Sequence, residues 1–433
     1  MNKIERLVYN LVKANPQLKD IVRDTYQSLL DLVPVADKVS AYDIKVREGY
    51  FFGFHDKTPF SFNNKYLLAN KYHIPLRMPN KTDSLTLGVF EGSEFEKFQP
   101  LTKTLAWNWH QGSMLQWCGN EQKFIYNDVK FDKILSRIYD IESESITDIP
   151  EPVGAVSPDG KHAVGYNFTR VEQHMPGYGY NHGTDPKVNH KAPDTNGLYH
   201  INLETGSVNE LFSIRDIVDI DHNPTMDGKY HYFSHCLFSP SNKRFVFMHR
   251  WVGEHKRKRW SRLISCNLDG SDLFIFPAQE MVSHIGWKNE EHIIAYSHVP
   301  GKGDHYFLFK DKDPSYLKII GEKILNSDGH PSYSPNKEWI ITDTYPNGLR
   351  QQLLILFDTV TGTRHDIAKL KHPAKFTSKK EKDHLTCDLH PRWDRNNEYI
   401  CFDSVYTGKR ALCTLKLESL SRDNIRAIST ITE

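Results

Sequence analysis

No uninterrupted apolar run occurs near the start of this chain. The charges of Met1-Asn2-Lys3-Ile4-Glu5-Arg6 and those that follow interrupt its apolar residues too often for a signal-peptide core or a membrane span. The expected location is therefore the cytoplasm. A dominant charge is missing too: 55 lysines and arginines face 54 aspartates and glutamates, so no global field marks a nucleic-acid or membrane binder. Cysteine is sparse, and the six residues (Cys118, Cys236, Cys266, Cys387, Cys401 and Cys413) include no CxxC pair. That excludes a zinc knuckle and argues for buried free thiols rather than a disulfide framework. Low-complexity runs and a nucleotide-binding glycine loop are also lacking, so disorder and a nucleotide-sugar site of that kind find no support.

Aromatic residues are plentiful at 12%, and glycine and proline are spread along the chain, which suits short strands joined by tight turns. Residues 3–33 differ. Ile4, Leu7, Val8 and Leu11, then Leu18, Ile21, Val22, Leu29 and Leu30, recur at helical spacing, with a break at Asn15-Pro16. Residues 1–40 are thus an expected helical segment that packs against the main domain or against a second subunit, which would give an oligomer through these helices; peripheral membrane attachment is the alternative reading.

From residue 50 the pattern changes to a short apolar strand, a polar turn and a second apolar strand, repeated seven times. The turns are Ser61–Lys65, Cys118–Gln122, Ser157–Lys161, Ser239–Lys243, Lys288–Glu291, Ser334–Lys337 and Asp394–Asn397. Asn, Asp, Gly and Pro in them supply the backbone angles that hairpins require. Second turns at Glu204-Thr205-Gly206, Leu268-Asp269-Gly270 and Thr361-Gly362 imply four strands per repeat. Units of about 40 to 60 residues of this kind bury their faces by packing around a channel. The predicted fold is all-β: residues 41–433 form a seven-bladed β-propeller, closed by a strand over Tyr42–Arg47 beside Leu412–Leu417.

The repeat register also predicts geometry. Counting back from the turns, His235, His284, His330 and His390 occupy one position in four consecutive repeats, at the start of the channel-lining strand. Second strands return to the same mouth with Met248-His249-Arg250-Trp251, Tyr296-Ser297-His298, Thr342-Asp343 and Phe402-Asp403. One histidine at such a position is ordinarily a hydrogen-bonded seam residue. Four at one register form an arc of imidazoles suited to a divalent transition metal. His390 also reads as a plain strand start, because Pro391 follows it. The insert over residues 170–197 leaves a second strand and carries His174, Tyr178, Tyr180, His182 and His190; it reads either as a binding loop whose aromatics stack on sugars or as a surface insert. Arg250 and Arg262 suit a carboxylate, which a guanidinium binds through two hydrogen bonds. The basic run His255–Trp260 is a solvated hairpin loop, too short for a nucleic-acid patch.

Three segments make a family resemblance specific: Phe233–Pro240 followed by Phe247-Met248-His249, Val282–Trp287, and Asp328–Pro335. They are similar to the oligogalacturonate lyases, mainly over residues 150–405. The resemblance implies a seven-bladed propeller that holds manganese with histidines and a glutamine and uses a further histidine as base. It assigns His284 and His330 to the metal and His249 to the base. No glutamine is matched, and the segments Gly53–Lys57 and Trp107–Gly112 depart from a pectin-degrading pattern, which implies a related branch acting on another glycan.

The expected function is a metal-assisted lyase that cleaves a uronate-containing oligosaccharide or polysaccharide by β-elimination, with manganese as the expected ion. His249 and Arg250 are the expected catalytic pair. Arg262, Tyr178, Tyr180 and Trp251 are expected to bind substrate, and His235, His284, His330 and His390 to bind the metal. Two readings compete with it: a non-catalytic propeller that binds glycan or protein at the same mouth, and a sugar-transfer enzyme of surface polysaccharide synthesis.

Overall fold

The computed structural model describes residues 25–254, 258–378 and 384–428. Its strands form seven antiparallel sheets arranged as the blades of a propeller. Blades one to six take residues 50–104, 116–149, 155–212, 230–275, 282–320 and 332–371 in order. Blade seven is built from both ends of the chain: Arg392–Trp393, Tyr399–Ser404 and Ala411–Lys416, with Ile44–Glu48 as its outer strand. Val46 lies opposite Cys413, so the predicted closure is present, with the strand running over Ile44–Glu48 rather than Tyr42–Arg47.

The seven predicted turns all join a blade's first strand to its second, and the reason is visible in their hydrogen bonds. In the third blade the Ser157 hydroxyl donates to Asp159 and accepts from the backbone N–H of His162, bending the chain without help from elsewhere. Ser334 repeats this with Asn336 and Trp339. Neighbouring turns then interlock. Asn242 accepts from the Asp159 N–H, Asn397 from that of Asn336, and Asn64 both accepts from the Arg395 N–H and donates to Asp394, joining blade seven to blade one. A tryptophan just before the turn adds a second seam bond: the indoles of Trp117, Trp287 and Trp393 donate to carbonyls of Pro59, Leu237 and Ser332 in the preceding blade.

Between blades the core is aliphatic and aromatic, with Trp339, Phe247, Leu412 and Leu87 fully buried. All six cysteines are buried and free. Two features differ from the sequence expectation. Lys38–Ser40 is a fifth strand on blade six, paired with residues 368–370. The inserted segment after blade three's second strand is pinned rather than loose: it opens with the helix Phe168–His174, capped by Asn167, and the buried Arg170 guanidinium donates to the carbonyls of Lys187, His190 and His231. Of the helical segment expected over residues 3–33, residues 3–24 lie outside the described residues. Residues 25–30 are helical and sit against blade six, where Gln27 donates to the Gly348 carbonyl and Asp31 pairs with Arg350. Among the described residues no helix is long and apolar enough to cross a membrane.

Candidate functional site

The four histidines at one register do converge. Bulges put them there: the pairing of blade four's first two strands shifts between Ser234 and Leu237, and that of blade five between Val282 and Ile285, on either side of His235 and His284. His235 and His390 adopt left-handed backbones, with φ of 53° and 45°. Such a conformation is strained for any residue but glycine and is kept where the side chain must be aimed. The ring centroids of His284 and His330 are 3.9 Å apart, and those of His330 and His390 4.3 Å. Phe54, from blade one, touches all four, lying 4.8 Å from His235 and 4.9 Å from His390. His55 follows it, 5.3 Å from His330 and 5.6 Å from His284.

Blade seven holds that Phe54–His55 segment in place. The Asp403 carboxylate accepts the backbone N–H groups of Phe52 and Gly53, while Arg392 donates to the carbonyls of Gly53 and Phe54 and pairs with Asp403. Gly53 has φ of +132°, and a Cβ there would lie 2.7 Å from the Gln111 carbonyl oxygen, so only glycine fits.

Each of the four register imidazoles meets a partner through Nδ1. His284 donates to Asp328 (3.0 Å), His330 to Asp343 (2.8 Å) and His390 to the Gly53 carbonyl (2.7 Å); His235 shares a hydrogen bond with the Ser234 hydroxyl (2.8 Å). With Nδ1 committed to an oxygen acceptor, the neutral ring presents Nε2 as a lone pair, the usual arrangement of a metal-bound histidine. Burial, aided by neighbouring cationic groups, holds His55, His235 and His390 well below the ordinary histidine range, and burial lowers His284. They are neutral at neutral pH. His330 is the exception: burial pulls it down, but the Asp343 carboxylate overrides this and raises it.

An oxygen donor completes the set. The donor atoms of His330, Asp388 and His390 all lie within 4.8 Å of one another. Burial pushes the Asp388 carboxyl up to about 6, against the pull of His330. Buried atoms without partners cluster here: both ring nitrogens of His55, Oδ1 of Asp388 and Nε2 of His110. Orphaned nitrogen and carboxylate donors at this spacing fit a first-row divalent cation, which takes such ligands at about 2.0 to 2.2 Å.

Around this centre stand His110, stacked on Tyr178 at 4.6 Å and 8° and 3.8 Å from Asp388, and Tyr345, whose ring is 5.7 Å from that of His330. Arg250 reaches it through Ser234: its Nε donates to the same hydroxyl that meets His235. Of the residues predicted from sequence, then, His235, His284, His330, His390, Arg250 and Tyr178 come together.

Four others do not, and each has a physical reason. Successive residues of a strand face opposite sides of the sheet, so His249 points away from the face that carries Arg250. It lies in a closed relay with Arg262 and His231. The Arg262 guanidinium can only donate, and gives a hydrogen bond to His249 Nδ1 (3.1 Å); His249 Nε2–H then donates to His231 Nδ1 (2.9 Å), and His231 Nε2–H to the Met226 carbonyl. Both nitrogens of His249 are committed, the ring is fully buried, and burial holds its pKa well down, so the expected base is corrected to a seam residue. Arg262 spends its remaining donors on the carbonyls of Asp221 and Ile217. Trp251 packs over His249 and donates to Thr225. Tyr180 stacks on Phe168 at 4.7 Å and accepts from Asn127, inside the core. Within the insert, His174 stacks on Tyr230, His182 faces Asp132 and His190 is exposed.

No family model matches this chain, and no curated protein matches it. Solved structures do. An oligogalacturonate lyase in complex with manganese superposes with a TM-score of 0.60 at 12% identity, covering 89% of this chain and 98% of the other. An oligogalacturonate lyase from Vibrio parahaemolyticus gives 0.60 at 14%, covering 90% and 100%. At such identity the likeness concerns architecture, and the chain is a seven-bladed β-propeller with the fold of the oligogalacturonate lyases.

Proposed function

We propose that this protein is a metal-assisted lyase that cleaves a uronate-containing glycan by β-elimination. The observation that carries the reading is the buried set of imidazoles anchored through Nδ1, with the Asp388 carboxylate beside it. His330, His390 and Asp388, with His284, His235 and His55 around them, would hold a divalent ion, manganese being the ion in one similar structure. When bound, such an ion neutralises a substrate carboxylate and so stabilises the carbanion-like charge that grows as the neighbouring proton leaves. Arg250 adds a second positive charge at the rim and orients the carboxylate. His110 takes the place of the withdrawn base. Its Nε2 has no partner, its ring is fixed by stacking on Tyr178, and burial followed by the charge of His384 keeps it neutral before the step.

The test is a screen of oligogalacturonate, oligoguluronate and oligoglucuronate for the ultraviolet absorbance of an unsaturated product, with added manganese and with chelator. Manganese-dependent product from one of them is the expected result. Stoichiometric metal without product from any would overturn elimination in favour of glycan binding.

A further inference from the structure

The histidine centre is closed on most sides. His55, His284, His330 and His390 are between 2% and 7% exposed, and Phe54 fills the space between them. One aromatic ring in contact with them opens to solvent. Tyr345 is 43% exposed, with its ring 5.7 Å from His330 and 6.4 Å from His284. It belongs to the loop that follows blade six's second strand, so it stands at the mouth rather than in the channel.

That loop is held rigidly. Thr344 exchanges hydrogen bonds with Leu353, its backbone N–H donating to the carbonyl and its hydroxyl accepting the return bond. Asn347 accepts the N–H groups of Arg350 and Gln351 at the loop's far end. Arg350, itself left-handed at φ 56°, forms a two-point ion pair with Asp31 and donates to Thr377, and Gln27 donates to the Gly348 carbonyl. An exposed aromatic on a loop pinned from three directions loses little freedom when a ligand docks, which is what a recognition surface requires. The ring of Tyr178 lies 6.3 Å from that of His235, whose Ser234 partner also accepts from Arg250, while Tyr345 stands against His330 and His284, so the three groups border the same set of histidines.

Resting on the lyase reading above, we infer that Tyr345 is the platform on which the face of the acidic sugar residue stacks, while Arg250 takes that residue's carboxylate. A sugar ring offers one apolar face of C–H bonds and an edge of hydroxyls and carboxylate. A flat ring beside a cation matches both. The platform discriminates by ring orientation: a sugar whose carboxylate reaches Arg250 only by tilting its apolar face off Tyr345 would bind more weakly.

The experiment compares wild type, Tyr345→Ala and Tyr345→Phe, all manganese-loaded, on oligogalacturonate, oligoguluronate and oligoglucuronate, by turnover and by calorimetric binding. The alanine variant is expected to raise KM and the dissociation constant about tenfold while kcat stays within about twofold. The phenylalanine variant should behave as wild type. Manganese content and melting temperature should be the same in all three. Unchanged KM and binding in the alanine variant would overturn the platform and leave the lyase reading standing. Lost manganese or a lowered melting temperature accompanying the KM change would overturn it in favour of a structural role for the ring. Neither binding nor turnover of any of the three glycans by the wild type would overturn both readings together.

Discussion

Two groups of buried histidines lie on opposite faces of blade four, and adjacent residues of one strand divide between them. On one face Arg250 meets Ser234 and, through it, His235; on the other His249 is locked between Arg262 and His231. Burial is no guide to the difference, since both groups are nearly inaccessible. The count of committed nitrogens is. In the seam, every imidazole nitrogen has a donor or acceptor fixed by a guanidinium at one end and a carbonyl at the other, and nothing is left to offer. In the channel, oxygen acceptors take Nδ1 of His284, His330 and His390, so their Nε2 atoms, together with both unpartnered nitrogens of His55, remain for a ligand. A histidine is therefore read by what remains after its hydrogen bonds are counted.

The comparison can be broken most sharply by metal analysis. His330→Ala should abolish stoichiometric manganese in the purified, folded protein, whereas His249→Ala should leave it intact; elemental analysis of both separates the two groups at once. If the seam variant loses its metal and the channel variant keeps it, the division is reversed. On stability the order inverts: His249→Ala strands the Arg262 and His231 groups in a dry seam and should cost about 2 to 4 kcal/mol in denaturant unfolding.

Acid provides a third contrast. His231 is held down to about 4 by burial, against the pull of the Met226 carbonyl, compared with 6.5 for a free side chain. The unfolded chain takes up a proton below 6.5 that the folded seam refuses. Stability is therefore flat above that pH and falls as pH drops from 6.5 towards 4, by up to about 1.4 kcal/mol per unit for this group. Unfolding measured across that window in metal-free protein should show the slope, and His231→Gln should reduce it. A slope indifferent to that change would remove the seam from the account. The smallest effect expected is that of Tyr180→Phe, which deletes one core hydrogen bond to Asn127 and should lower stability by about 1 kcal/mol with turnover unchanged.

How much of this was legible in the chain depended on distance along it. The turns are local: a serine or asparagine bonding its neighbours two to five residues on needs no distant partner, so seven copies and their spacing gave the blades and the closure. The register of His235, His284, His330 and His390 was legible for the same reason. His249 and Arg250 are successive residues of one strand, so its alternation alone already assigns them to opposite faces. His55 lies off the register, where Lys57 holds the equivalent place, and its position is set by Asp403 and Arg392 almost 350 residues away. Asp388 stands two residues before His390, as Asp328 does before His330 and His55 before Lys57, a second register, but only the packing of the blades shows that it faces His110 and His390. Lys38–Ser40 joins blade six for a comparable reason, since its partner strand lies more than 300 residues on.

The clamp of Asp403 and Arg392 on residues 52–54 has a consequence for how the protein is made. Blade one leaves the ribosome first among the blades and carries His55, but the groups that aim this residue are synthesised last. A growing chain can stack blades one to six and still own no finished centre. Only when blade seven arrives does the same event close the ring and set His55 among the other imidazoles, so an ion held as proposed above would find its full set of donors only after that step. A message cut short before blade seven would lack Asp403 and Arg392, and with them the clamp that aims His55.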